Sequence, residues 1–169
     1  NTASRQFATK EITLDQLMLR LKQIDQDTAH FPLWLQITAA AVISAFLMII
    51  FSGEYDWLDI IPSAVAGALG YAVFAAVNRV TTIRFIGEFL SATVIGIVAY
   101  LLTRWHLGVD IDNIIIGAVM PLVPGVAITN SIRDLLAGHL LSGMARGMEA
   151  ILSAFAIGTG IALVFRFFM

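Results

Sequence analysis

The run Met120-Pro121-Leu122-Val123-Pro124-Gly125 sets two prolines and a glycine within six residues of an otherwise apolar stretch. Proline has no N–H, so inside a helix Pro121 would release the carbonyl of Gly117, and Pro124 that of Met120. Gly125 lets the backbone turn. A helix restarting there would leave the N–H groups of Val126, Ala127 and Ile128 without intrahelical acceptors. Bare carbonyls on one side and a positive helix end on the other suit an amino acid zwitterion or a carboxylate. Transporters place this device at the bilayer midplane. The alternative is a plain proline kink whose freed groups are satisfied by neighbouring helices.

Polar residues follow. Asn130, Arg133 and Asp134 share a helical face at three- and four-residue spacing, with His139 nearly opposite. Two readings stand: a polar gate in which Arg133 attracts carboxylates, or a solvated turn holding an Arg133–Asp134 pair. His139 is a candidate proton carrier or a hydrogen-bonded interfacial residue. Glu88 and Glu149 lie within apolar segments, where an ionised side chain costs about 2.5–3.5 kcal/mol and so needs a partner or a role. Each has both options. Arg84 stands four residues before Glu88 and Arg146 three before Glu149, so either acid can be ion-paired or can carry a proton.

Other chemistry lacks its residues. The chain has no cysteine, which excludes thiol catalysis and internal disulfides. It holds no GxSxG, HExxH or phosphate-binding loop and no clustered His/Asp/Cys set, so no enzyme activity, metal or cofactor is expected. A net charge of −2 without a basic run gives no reason to expect nucleic acid.

The elements that position these residues belong to a membrane protein. Of the 169 residues 59% are hydrophobic and only 13% charged, half the charged share of a soluble domain. Apolar segments of about the length needed to cross hydrocarbon occupy residues 33–52, 60–78, 83–103, a fourth starting near Asn113 and broken at the Pro-Gly run, and 145–168. Before them, residues 1–11 are polar and unpatterned. Thr13 and Gln16 have capping-box spacing at the start of a short helix, with Ile12 and Leu17 as its staple. Leu14, Leu17, Met18, Leu21 and Ile24 share a face of that helix, and His30-Phe31-Pro32 ends it. It is expected on the membrane surface, against a cytoplasmic domain, or as a plain connector.

The fold class is therefore all-α: a segment 1–31 with an amphipathic cytoplasmic helix, then a five-helix transmembrane domain over 32–169. With the N-terminus inside, the inner side holds Arg5, Lys10, Arg20, Lys22, Arg79, Arg84, Arg133 and Arg146, and the outer side only Arg104 and Arg166. Positive charge stays inside, so the chain is placed in the cytoplasmic (inner) membrane with its C-terminus outside. The outer loops carry Glu54, Asp56, Asp59, Asp110 and Asp112. Small residues recur at Ser63/Gly67, Ala68/Ala72/Ala76, Ala92/Gly96 and Ala154/Gly158/Ala162, which lets helices pack closely within this chain or against another.

The run Leu122-Val123-Pro124-Gly125, followed by Asn130, Asp134, Gly138, Gly143 and Arg146, resembles the threonine/serine exporter (ThrE-type) family. So do Ile12-Thr13-Leu14, Phe31-Pro32-Leu33-Trp34-Leu35 and the Gly/Ala-rich second segment; the likeness covers roughly residues 10–169. It implies export of threonine and serine, or of dicarboxylates such as succinate in two-component relatives, driven by protons. It also implies that Pro124, Gly125, Asn130, Asp134 and Arg146 line the site. A second membrane half, fused or separate, is implied as a partner besides the lipid bilayer and the solute. Neither that half nor the soluble region preceding the first helix in the family lies within these residues; the polar stretch from Asn1 does not read as a signal peptide, and an earlier natural start stays open. A fragment, or one subunit of a pair or homo-oligomer, is expected. A non-transporting structural subunit and a passive channel are the competing readings.

Overall fold

The structure is a computed structural model that describes residues 2–26, 31–52, 57–81 and 83–168. The described residues form α1 (Thr2–Ala8), α2 (Leu14–Gln26), α3 (Leu33–Ser52), α4 (Trp57–Val80), α5 (Arg84–Arg104), α6 (Ile111–Val119), a 3-10 turn (Met120–Leu122), α7 (Gly125–Leu136) and α8 (Leu140–Phe168). They fall into two compact units, Asn1–Pro32 and Leu33–Met169. The expected helix end at His30 and the loop acids Glu54 and Asp56 lie outside the described residues.

In the first unit the capping box forms as spaced. The Thr13 amide donates to Gln16 Oε1 at 3.1 Å and the Gln16 amide to Thr13 Oγ1 at 3.4 Å. Residues 1–11 are not shapeless, since α1 occupies most of them. Seven residues are too few to be helical alone. Tertiary contacts supply the difference: Arg20 donates to Gln6 Oε1, and Lys10 closes the helix at φ 59° while the Glu11 amide donates to the Gln6 carbonyl at 2.9 Å.

In the second unit α4 packs on α3, α5 and α6, α3 also packs on α6, and α5 packs on α8. The buried side chains are mostly small, so these helices meet backbone to backbone. A Cβ added at Gly117 of α6 would lie 2.5 Å from Met48 Cβ and 2.7 Å from the Ser44 carbonyl of α3; one at Gly160 of α8 would lie 2.6 Å from the Phe89 carbonyl of α5. The small residues Ser63, Gly67 and Ala92 are buried at such crossings within this chain, whereas Ala154, Gly158 and Ala162 lie on an exposed face of α8. Among the described residues, four helices are long and apolar enough to cross a membrane. The pair Ile111–Leu122 and Gly125–Leu136, bent by 60°, makes five if it acts as one span.

Asp59 corrects an expectation. Rather than charging an outer loop, it is fully buried in the first turn of α4. Its Oδ1 accepts from the Val109 amide at 2.6 Å and its Oδ2 from the Asp110 amide at 3.0 Å. Asp110 in turn caps α6 by accepting from the Asp112 amide at 2.9 Å. Two backbone donors thus depend on one buried carboxylate, and both lose their acceptor without it. Asp59→Ala is expected to destabilise the fold by about 2 kcal/mol or more, read as a lowered thermal midpoint of the detergent-solubilised protein.

Candidate solute path at the broken helix

α6 is held on three sides, with Ile114, Ile115, Gly117, Ala118 and Val119 buried. Beyond Val119 the prolines act, though not as their spacing suggests. The carbonyls expected to be bare are both taken: the Met120 amide donates to the Gly117 carbonyl, and the Val123 amide to the Met120 carbonyl at 3.2 Å. Tightening from α to 3-10 replaces the missing i−4 donors with i−3 donors. Gly117 is also a packing position beneath α3 and α4, not a lining one.

The amino side of the break differs. The Gly125 amide donates to the Val123 carbonyl at 2.8 Å, and the Ile128 amide, expected to be free, donates to the Pro124 carbonyl at 3.0 Å. Pro124 stands at the N-cap and has no side-chain oxygen to offer. The Val126 and Ala127 N–H groups therefore find no acceptor among the described residues. They sit at an open place: a Cβ on Gly125 would meet nothing within 4 Å, and Val126 is 78% exposed. Met120, Pro121 and Pro124 are half-buried behind them.

α7 leaves the break and packs on α8. It stops at Leu136, so His139 belongs to the exposed turn and not to the helix assumed for it. Gly138 at φ 82° makes that turn, a conformation that favours glycine. α8 then runs back against α7, with Ser131 Oγ donating to the Gly143 carbonyl at 2.7 Å. This return decides the ion pair. Asp134 Oδ2 accepts from Ser142 Oγ at 2.8 Å and lies 3.7 Å from Arg146 Nε. The sequence-adjacent Arg133 is exposed, and Asn130 is half-buried on the same helix. The expected binding residues therefore form two groups. Gly125 and Asp134 are nine positions apart on α7, which is about 13 Å of helix. Between α7 and α8 lies an apolar groove of about 320 Å³ floored by Gly147, Ala150 and Ala154.

Glu88 is 7% exposed at the α5–α8 contact, where its Oε1 accepts from Ser153 Oγ at 2.9 Å. Its expected partner, the Arg84 side chain, lies outside the described residues. Ser153 is one residue that sequence spacing missed. A serine in an apolar helix was the available signal, but nothing in the sequence aligns it with Glu88. Glu149, one turn earlier on α8, is half-buried.

The family profile described as "Putative threonine/serine exporter" matches residues 1–168. This chain belongs to the threonine/serine exporter family. The protein is thus a multi-pass membrane protein of a transport family. A relative from Mycobacterium tuberculosis (strain ATCC 25618 / H37Rv), named "Probable threonine/serine exporter", is 23% identical over 158 residues, covering 92% of this chain and 29% of the relative. The chain thus spans under a third of that exporter's length. No solved structure matches it.

Two substitutions separate packing from charge in the α7–α8 arm. Arg146 is 46% exposed, so its pair with Asp134 is largely screened. Arg146→Gln is expected to cost less than about 1 kcal/mol of stability. A Cβ at Gly143 would lie 2.7 Å from Leu135 Cγ and 3.0 Å from its backbone nitrogen, so Gly143→Val is expected to cost about 1–3 kcal/mol. Thermal unfolding in detergent reads both.

Proposed function

We propose that this chain is one membrane portion of a secondary exporter for small carboxylate-bearing solutes, serine and threonine first, with dicarboxylates such as succinate as the alternative. The observation that carries this reading is the open break at Gly125, where two backbone donors without acceptors point from the positive end of α7. Hydrocarbon does not tolerate such groups, so they belong against water, protein or a solute. A carboxylate answers them. All three solutes share that group, and the family and the relative's name favour the hydroxy amino acids.

The second group of residues supplies a gate. Arg146 is engaged by Asp134 at the far end of α7, and an arriving or departing carboxylate competes for it through the same charge-assisted contact. Glu88 is the proton site of the reading. A nearly buried carboxyl against Ser153 changes the α5–α8 contact when it gains or loses a proton, and Arg146 lies on the same helix seven residues from Ser153, about 10 Å away. Glu149 and His139, nearer the turn, are secondary proton candidates. The broken pair serves as the fourth of five spans, with the N-terminus in the cytoplasm and the C-terminus outside, in line with the eight-to-two division of Lys and Arg. The segment 1–31 stays on the cytoplasmic side. A second membrane portion closes the path.

Flux in proteoliposomes carrying the complete exporter tests this. Labelled serine, threonine or succinate is expected to move against its gradient when a pH gradient is imposed. Pro124→Ala is expected to lower flux at least tenfold, and Arg146→Gln to raise KM about tenfold, the loss of one charged contact. Glu88→Gln is expected to abolish the response to the pH gradient while solute exchange continues. Flux indifferent to the gradient would instead indicate a passive channel, and absent flux of all three solutes a structural subunit.

A further inference from the structure

The groove between α7 and α8 is bounded on one side by Ile128 and Ile132 and on the other by Ile151, with Gly147, Ala150 and Ala154 as its floor. At about 320 Å³ it has room for several side chains. Its floor continues along α8 through Gly158, where a Cβ would meet nothing within 4 Å. Isoleucine walls over a glycine and alanine floor make a channel of helix-ridge shape, since small residues admit a second backbone closely.

We infer that this groove seats a transmembrane helix of the second membrane portion, and that this docking walls the break off from lipid while leaving it open to the solute path; the inference rests on the exporter reading above. Three observations favour that occupant. The matched region is 29% of the relative's length, so an exporter of that kind holds ample further chain. α7 packs chiefly on α8 among the described helices, and it carries the unsatisfied N–H groups of Val126 and Ala127 together with the polar Asn130 and Arg133. In hydrocarbon these need a protein or water neighbour, which lipid does not supply. A second copy of this stretch fits less well. Two copies meeting through one shared patch set groove against groove and leave the space unfilled. A ridge from a different helix fills it.

These 169 residues hold no cysteine, which allows a direct test in the complete exporter in its native membrane once any cysteine outside them is replaced. Ala154→Cys on the groove floor and Phe46→Cys on the exposed face of α3 (64% exposed) are each labelled with a maleimide-benzophenone and irradiated, and adducts are mapped by mass spectrometry. The expected result is an adduct from position 154 to one apolar helix outside residues 1–169, reproduced as a disulfide when a cysteine is placed at the mapped residue, with only lipid adducts from position 46. Lipid adducts alone from both positions, or cross-linking of position 154 to the same position in a second copy, would overturn the inference. The readout does not depend on transport. A mapped helix in a protein that moves none of the three solutes supports the interface while refuting the exporter reading.

Discussion

A peptide N–H or carbonyl placed in hydrocarbon without a partner costs several kcal/mol, and that cost organises this molecule. α3, α4, α5 and α8 meet it by remaining continuous helices. The α6–α7 pair cannot, because two prolines withdraw two donors in four residues. The chain responds unequally on the two sides of the break. On the carbonyl side it winds tighter, and the amides of Met120 and Val123 reach acceptors three residues back. On the amide side no such adjustment exists, because the first amides of a helix have nothing behind them and Pro124 brings no capping oxygen. The polarity of the break is thereby set: donors outward, acceptors inward.

The two halves of the broken pair are also anchored differently. α6 is clamped at its start by Asp59 and at Gly117 by α3 and α4, so its end is a fixed point. α7 rests on the first half of α8, joined by Gly143, Ser131 and the Asp134–Ser142–Arg146 contacts. The second half of α8 is held to α5 through Gly160 and the Ser153–Glu88 hydrogen bond. The break thus sits where a firmly packed group of helices meets a thinly supported arm, and α8 belongs to both. A carboxyl on α5 and an ion pair at the tip of the arm can influence each other through that one helix, which is the physical basis of the proton coupling we propose.

Much of this was legible in the sequence because lipid imposes simple rules. α3 begins and ends where its apolar run does, and the turn at residues 120–125 follows from proline chemistry. The failures share a cause, which is that spacing along one helix does not show what another helix brings. Asp59 looked like a surface charge because its partners are amides some fifty residues away. Asp134 was offered its neighbour Arg133, yet the Gly138 turn delivers Arg146 and Ser142. The bare carbonyls were an error of helix type: i−4 bookkeeping assumes an α-helix, and the chain switched to 3-10.

In the exporter we propose, Gly125 and the two amides after it face the solute's aqueous path. Gly125 has open space where a side chain would go, so Gly125→Cys fits without displacing anything, and none of these 169 residues is a competing cysteine. The decisive measurement is the rate at which a charged, water-soluble methanethiosulfonate modifies that cysteine in membranes, with and without saturating serine. Rapid modification that serine slows is expected. A cysteine that reacts only with a lipid-soluble reagent, at a rate serine, threonine and succinate leave unchanged, would contradict this placement.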